Sequence, residues 1–169
     1  MDTLDTIFTR RSIRSYIDQK VSEDIIQNIL KAWMSAPSAH NQHPWHFLVI
    51  QDKETLKKLS ETFTYGKMLE MSPLAILLCC DTTKLRSEEF WIQDMSASTE
   101  NILLASHAQW LGAVRIWLYP DSNYISFVSN YFSLPEWIIP FSLVSIWYPN
   151  EKIVEKDRFI ESRIHSEKW

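Results

Sequence analysis

The residues best equipped for chemistry fall in two short stretches. Near the start, Arg10, Ser12 and Arg14 stand on alternate positions of the run RRSIR. In extended backbone alternate side chains share a face, so two planar cations and a hydroxyl would meet one anion. A phosphate monoester suits that set, because arginine binds phosphate oxygens bidentately and each charge-assisted hydrogen bond contributes about 1.5–3 kcal/mol. Further on, the stretch from Ala36 to Ile50 reads APSAHNQHPWHFLVI. Pro37 and Pro44 each turn the preceding residue away from helix, so Ser38, Ala39, His40, Asn41, Gln42 and His43 form a loop held between two fixed points. Its hydroxyl, carboxamides and neutral imidazoles can donate and accept hydrogen bonds, which suits a flat ring with polar edges.

Other chemistries find less support. His40, His43 and His46 are regularly spaced, but Pro44 breaks any helix that would align them and no acid or cysteine completes a metal set. There is no G-x-S-x-G, and Ser38 has no evident base-and-acid pair. Asp94 and Glu100 fall on roughly opposite faces of one helix and make a poor carboxylate pair. Only Gly66 and Gly112 are glycines, so neither a P-loop nor G-x-G-x-x-G can be written, and any phosphate must be held by side chains. Cys79 and Cys80 are adjacent in an apolar run and read as small buried residues on opposite strand faces.

The elements that must position these stretches follow from pattern. Leu4, Ile7 and Phe8 behind Asp2 and Thr3 predict a short helix ending at the RRSIR cluster. Ser22, Glu23 and Asp24 open a second helix with Ile25, Ile26, Ile29, Leu30 and Trp33 as its stripe, and it delivers the chain to the polar loop. Strands are expected over 46–50, 74–80, 113–119 and 142–147. Asp52 caps a helix carrying Leu56, Leu59 and Phe63. A long helix rich in small residues runs from about Phe90 to Leu111 with Gly112 as its stop. Asp121 or Ser122 starts a last helix with Ile125, Val128 and Phe132. The small residues of the long helix fit either the middle of a core or a symmetry mate. After Pro149 the tail is charged, holds Lys156, Arg158 and Arg163, and ends in Trp169, as expected of a segment lying along a surface.

At 169 residues with 46% hydrophobic and 22% charged content, the chain reads as one domain, 1–169, able to bury about two-thirds of its unfolded surface. No apolar stretch approaches the roughly 20 residues of a membrane span. The opening MDTLDTIFTRR lacks the basic end and apolar block of a secretory signal, so a cytoplasmic location is expected. A net charge of −4 argues against general nucleic-acid binding, which needs a basic field.

Taken together, R-R-S-x-R, A-P-S-A-x-N-x-x-P-W, the helix DMSASTENILLASHA ending in L-G-A, then IPFSLVSIWYP and a basic tail resemble the nitroreductase family over nearly the whole chain. That resemblance implies an α+β fold with a central mixed sheet flanked by helices. It also implies a domain-swapped homodimer whose C-terminal extensions wrap the other subunit, with FMN as cofactor and NADH or NADPH as electron donor. By the same resemblance Arg10, Arg11, Ser12 and Arg14 take the phosphate and ribityl chain, joined by Lys156 and Arg158. Pro37, Ser38, Ala39 and Asn41 line the ring, contributed by the opposite subunit, and Trp117 and Leu118 pass beside its redox-active edge. The implied activity is ping-pong hydride transfer to small-molecule acceptors such as nitroaromatics or quinones. Family members commonly carry a glycine where this chain reads RIWLYP, so Trp117 narrows the space over the ring. Two rival readings follow. One is an FMN-binding protein without nicotinamide turnover, which stores or presents flavin. The other is a relative that dehalogenates or fragments its flavin, for which no lid residues are identified.

Overall fold

The computed structural model describes residues 1–17, 19–151 and 157–169. Five helices occur among them: α1 (Thr3–Thr9), α2 (Glu23–Met34), α3 (Lys53–Thr62), α4 (Trp91–Ala108) and α5 (Ser122–Tyr131). Strands β1 (Trp45–Ile50), β2 (Ala75–Asp81), β3 (Gly112–Trp117) and β4 (Ile138–Trp147) form one sheet in the order β1-β2-β4-β3.

The helix starts follow their caps. Asp2 accepts from the Leu4 amide at 2.9 Å and Asp52 from the Thr55 amide at 2.8 Å, each satisfying an amide that the helix leaves unpaired. β2 is buried along its whole length, as a continuous apolar run requires of a strand covered on both faces. Its side chains alternate between two cores. Ile76, Leu78 and Cys80 pack with Trp33, Met95 and Ile102 on the α2 and α4 side. Leu77 and Cys79 pack with Leu56, Leu59, Phe63 and Val128 on the α3 and α5 side. Burial pushes both thiols up to about 12, which keeps them protonated and poor nucleophiles at neutral pH.

Three expectations are corrected. The sheet is not mixed: every strand pair is antiparallel, because β4 lies between β2 and β3, which run the same way, and opposes both. The parallel component is an isolated bridge between Ser12 and Ala113. Secondly, Gly112 does not stop α4. The helix ends at Ala108, and Trp110, two residues beyond it, takes φ 64°. The Trp110 amide then bonds to the His107 carbonyl at 2.9 Å and the Leu111 amide to the Ser106 carbonyl at 2.9 Å, a Schellman closure made without glycine. Thirdly, β4 begins at Ile138, ahead of the expected 142, because an irregularity between Leu78 and Cys79 lets Pro140 sit opposite Cys79 and extends the ladder to Asp81.

α4 buries Met95, Ser98, Thr99, Ile102 and Ser106 against the sheet and α2. The Asn101 carboxamide donates to the Ala32 carbonyl at 2.9 Å, tying α4 to the end of α2. No described helix is long and apolar enough to cross a membrane.

Candidate functional site

The RRSIR segment is pinned on both sides. α1 ends at Thr9, and the Ile13 amide then bonds to the Ala113 carbonyl at 3.1 Å, laying the segment along the outer edge of β3. Ile13 is buried, the Tyr16 hydroxyl donates to its carbonyl at 2.6 Å, and Glu151 accepts from the Arg14 and Ser15 amides. From the helical side, the Thr9 hydroxyl gives its hydrogen to the Asp5 carbonyl and lies 2.8 Å from His107 Nε2. The ring must therefore donate there. Burial, then the charges of Arg10 and Arg11, hold His107 below the ordinary histidine range, consistent with a neutral ring.

Arg10, Ser12 and Arg14 line one cleft of about 790 Å³ at the β3 edge of the sheet. That volume lies within the roughly 300–1,000 Å³ of small-molecule and cofactor sites. Trp117, Leu118 and Tyr119 line it as well, as do Lys67 beyond Gly66 and Tyr124 of α5. The lining combines the cations Arg10, Arg14, Lys67 and Arg115, the acids Glu100 and Asp121, and a largely aromatic and aliphatic remainder. A molecule with an anionic tail and a planar head fits that combination of cations and flat apolar surface.

The structure does not bring all the predicted residues to this cleft. Arg11 turns back, donating to the carbonyls of Phe8 and Arg10 at 2.8 and 2.7 Å, and is not among the lining residues. Pro37, Ser38, Ala39 and Asn41 do not line it either. Arg158 is exposed in the tail, and Lys156 lies outside the described residues.

The polar loop is nonetheless shaped. His40, Asn41 and His43 all take positive φ, at 51°, 54° and 46°, a region that Asn and His tolerate better than most residues. Ser38 accepts from the His43 amide at 3.0 Å, and the His43 ring lies 2.6 Å from the Asn41 side-chain oxygen. Beneath the loop Asp94, only 5% exposed, accepts from the Ala39 amide at 2.9 Å and from the Gln42 carboxamide at 2.6 Å. Gln42 in turn accepts from the Arg86 and Ser87 amides. Sequence reasoning missed Asp94 and Gln42 in this role, as it missed Lys67, Glu100 and Arg115 in the cleft. The one available signal for Asp94 was an acid followed by the small and apolar run Met95 to Ser98.

The model of the nitroreductase family matches residues 7–66, which hold both the RRSIR segment and the polar loop. A protein of Methanothermobacter thermautotrophicus, named as a candidate NADH dehydrogenase/NAD(P)H nitroreductase, is 45% identical over all of this chain and 88% of its own length. The chain belongs to the nitroreductase family.

The family's solved structures repeat the fold. A candidate NADH oxidase from Clostridium acetobutylicum superposes with a TM-score of 0.95 at 42% identity, covering 98% of this chain and all of its own. An FMN-dependent nitroreductase from Clostridium difficile superposes with a TM-score of 0.89 at 29% identity, covering 98% and 99%.

Proposed function

We propose that the chain is a single-domain oxidoreductase that binds FMN in the cleft at the β3 edge, takes electrons from NADH or NADPH, and reduces nitroaromatic or quinone-like acceptors. The enzyme class follows from the family, whose member from M. thermautotrophicus carries an NAD(P)H nitroreductase name, and FMN is the cofactor named for the member from C. difficile. The observation that carries the reading is the junction of Arg10, Ser12 and Arg14 with Trp117, Leu118 and Tyr119 in one cavity. The arginines hold the phosphate, Ser12 reaches the ribityl chain, and the strand end supports the ring. Bound there, FMN would supply the redox chemistry, hydride uptake from the nicotinamide and electron delivery to the acceptor. The protein supplies orientation and electrostatics, so the chemistry calls for no nucleophile, base and acid triad in the cleft.

The working unit in this proposal is a homodimer. Leu4, Ile7 and Phe8 expose apolar side chains along α1, and beside them lies a groove of about 380 Å³ lined by Ala32, Leu104, Ala105 and Ala108. A contiguous apolar surface of this kind marks an interaction site. A second copy there gives Pro37, Ser38, Ala39 and Asn41 a role at the ring in the facing cleft, and gives the tail with Phe159, Ile164 and Trp169, all exposed, a surface to cover. The small residues of α4 then serve both the core and the interface. A cytoplasmic location completes the proposal.

Purified protein should be yellow, lose its flavin absorbance anaerobically on addition of NADH or NADPH, and regain it with a nitroaromatic or quinone. Parallel lines in initial-rate plots would support alternation of a single site. A colourless protein that rejects added FMN would end the proposal. The second reading, FMN held without nicotinamide turnover, draws on Trp117, which is 53% exposed in the cleft. It expects bound flavin that dithionite reduces and nicotinamides do not.

A further inference from the structure

We propose that Arg115 is a third phosphate-binding arginine of the cleft, acting with Arg10 and Arg14, and that the Glu100 carboxylate is the internal anion with which the phosphate competes. This rests on the reading of the cleft as an FMN site.

The placement follows from the edge of β3. Ala113, Arg115 and Trp117 alternate onto one face, and Ser12 bridges to Ala113 in parallel. The chain therefore leaves Ser12 in the same direction as β3, and Arg14 and Arg115 follow from neighbouring points on the two segments. Both line the cleft, together with Arg10 and Glu100.

The Arg115 side chain is ready for an anion. Its guanidinium carbon lies over the Trp117 ring, 3.2 Å from the centroid, a cation–π contact that uses none of the N–H donors as a hydrogen bond to a polar acceptor. The group carries five such donors, and among the described residues none of them makes a hydrogen bond. A half-buried cation with unused donors is costly unless something pairs with it. Burial pushes this guanidinium down to about 10, with Glu100 opposing the fall and Arg10 adding to it.

Glu100 identifies the anion's position. Its carboxylate lies 3.1 Å from Arg10 Nε, and both groups act on Arg115 electrostatically. The carboxylate held by Arg10 is thus also a charge that Arg115 feels. A phosphate monoester brings about −1.5 to −2 charges and three acceptor oxygens, against one charge on Glu100, and it can accept from more than one guanidinium at once. An incoming phosphate takes Arg10 from Glu100 and recruits the donors of Arg115.

The test compares dissociation constants for FMN and riboflavin, which lacks the phosphate, by flavin fluorescence quenching in folded full-length variants. Arg115→Met is expected to weaken FMN by about ten- to a hundredfold, the equivalent of one charge-assisted hydrogen bond, and to leave riboflavin unchanged. Glu100→Gln should tighten FMN by up to about fivefold, the scale of a partly exposed ion pair, again without effect on riboflavin. Arg115→Lys keeps the charge without the fork and should show a smaller loss confined to FMN; it decides the matter if Arg115→Met does not fold. Equal losses for both flavins would mean that Arg115 acts by supporting Trp117, and would overturn the proposal. Unchanged FMN binding in Arg115→Met beside a clear loss in Arg14→Ala would overturn it while leaving the FMN site standing. Wild-type protein that binds neither flavin would overturn the site itself and this inference with it.

Discussion

Replacing Asp94 by alanine is expected to destabilise the fold by about 2–4 kcal/mol and to release flavin from the protein. The carboxylate is buried and receives two donors, the Ala39 amide and the Gln42 carboxamide. Each buried donor left without a partner costs about 1–3 kcal/mol, and relaxation of the loop towards solvent keeps the total below the full sum. Asp94→Asn should recover only part of the loss. Its oxygen can replace one contact, but its NH2 group then faces the other donor. Gln42 cannot turn its carboxamide to help, because its oxygen already accepts from Arg86 and Ser87. Denaturant unfolding read beside flavin content checks the order wild type, Asn, Ala. Wild-type stability in Asp94→Ala would show that the loop is held by its own Ser38, Asn41 and His43 contacts.

The second large effect is expected at Gly112. A methyl group there would stand 2.6 Å from Ile13 Cγ2 and 2.7 Å from Ile13 Cβ, and Cβ cannot swing aside as the end of a long side chain would. Something must move, and overpacking of this kind costs about 1–3 kcal/mol. Ile13 lies between Ser12 and Arg14, so the displacement falls on two residues that line the cleft. Gly112→Ala should lower stability by that amount and weaken FMN by roughly tenfold or more, since each 1.4 kcal/mol carried into binding is about a factor of ten. Thermal melting with a flavin titration measures both. An unchanged affinity in a destabilised variant would separate Ile13 packing from the phosphate cradle.

Gly112 also shows where sequence reading stops. A glycine after a long helical pattern reads as a helix stop, but in this chain Trp110 closes α4 and Gly112 exists for the approach of Ile13. That approach joins residues far apart in the chain and leaves no local trace. β2 was legible because burial on both faces forces a continuous apolar run. β4 was only partly so, since Pro140 interrupts the strand signal and the irregularity at Leu78 and Cys79 that accommodates it lies on another strand. Arg10, Ser12 and Arg14 could be picked out because alternation puts like chemistry on one face. Arg115, Glu100 and Lys67 are ordinary charged residues in the sequence, and only the folded edge of β3 and the turn after Gly66 bring them to the same cavity. The polar loop was recognised from its prolines and amides, yet the acid that holds it sits on α4, two strands and a helix later in the chain.

The central claim is that arginine forks at the edge of β3 hold the phosphate of a flavin whose ring lies along the Trp117–Tyr119 strand end. A crystal structure of the protein grown with FMN tests it most directly. The account predicts phosphate oxygens within hydrogen-bond distance of Arg10 and Arg14, with the ring beside Trp117 and Leu118. A flavin bound elsewhere, or a cleft closed by the Trp117 indole with FMN excluded, would contradict it.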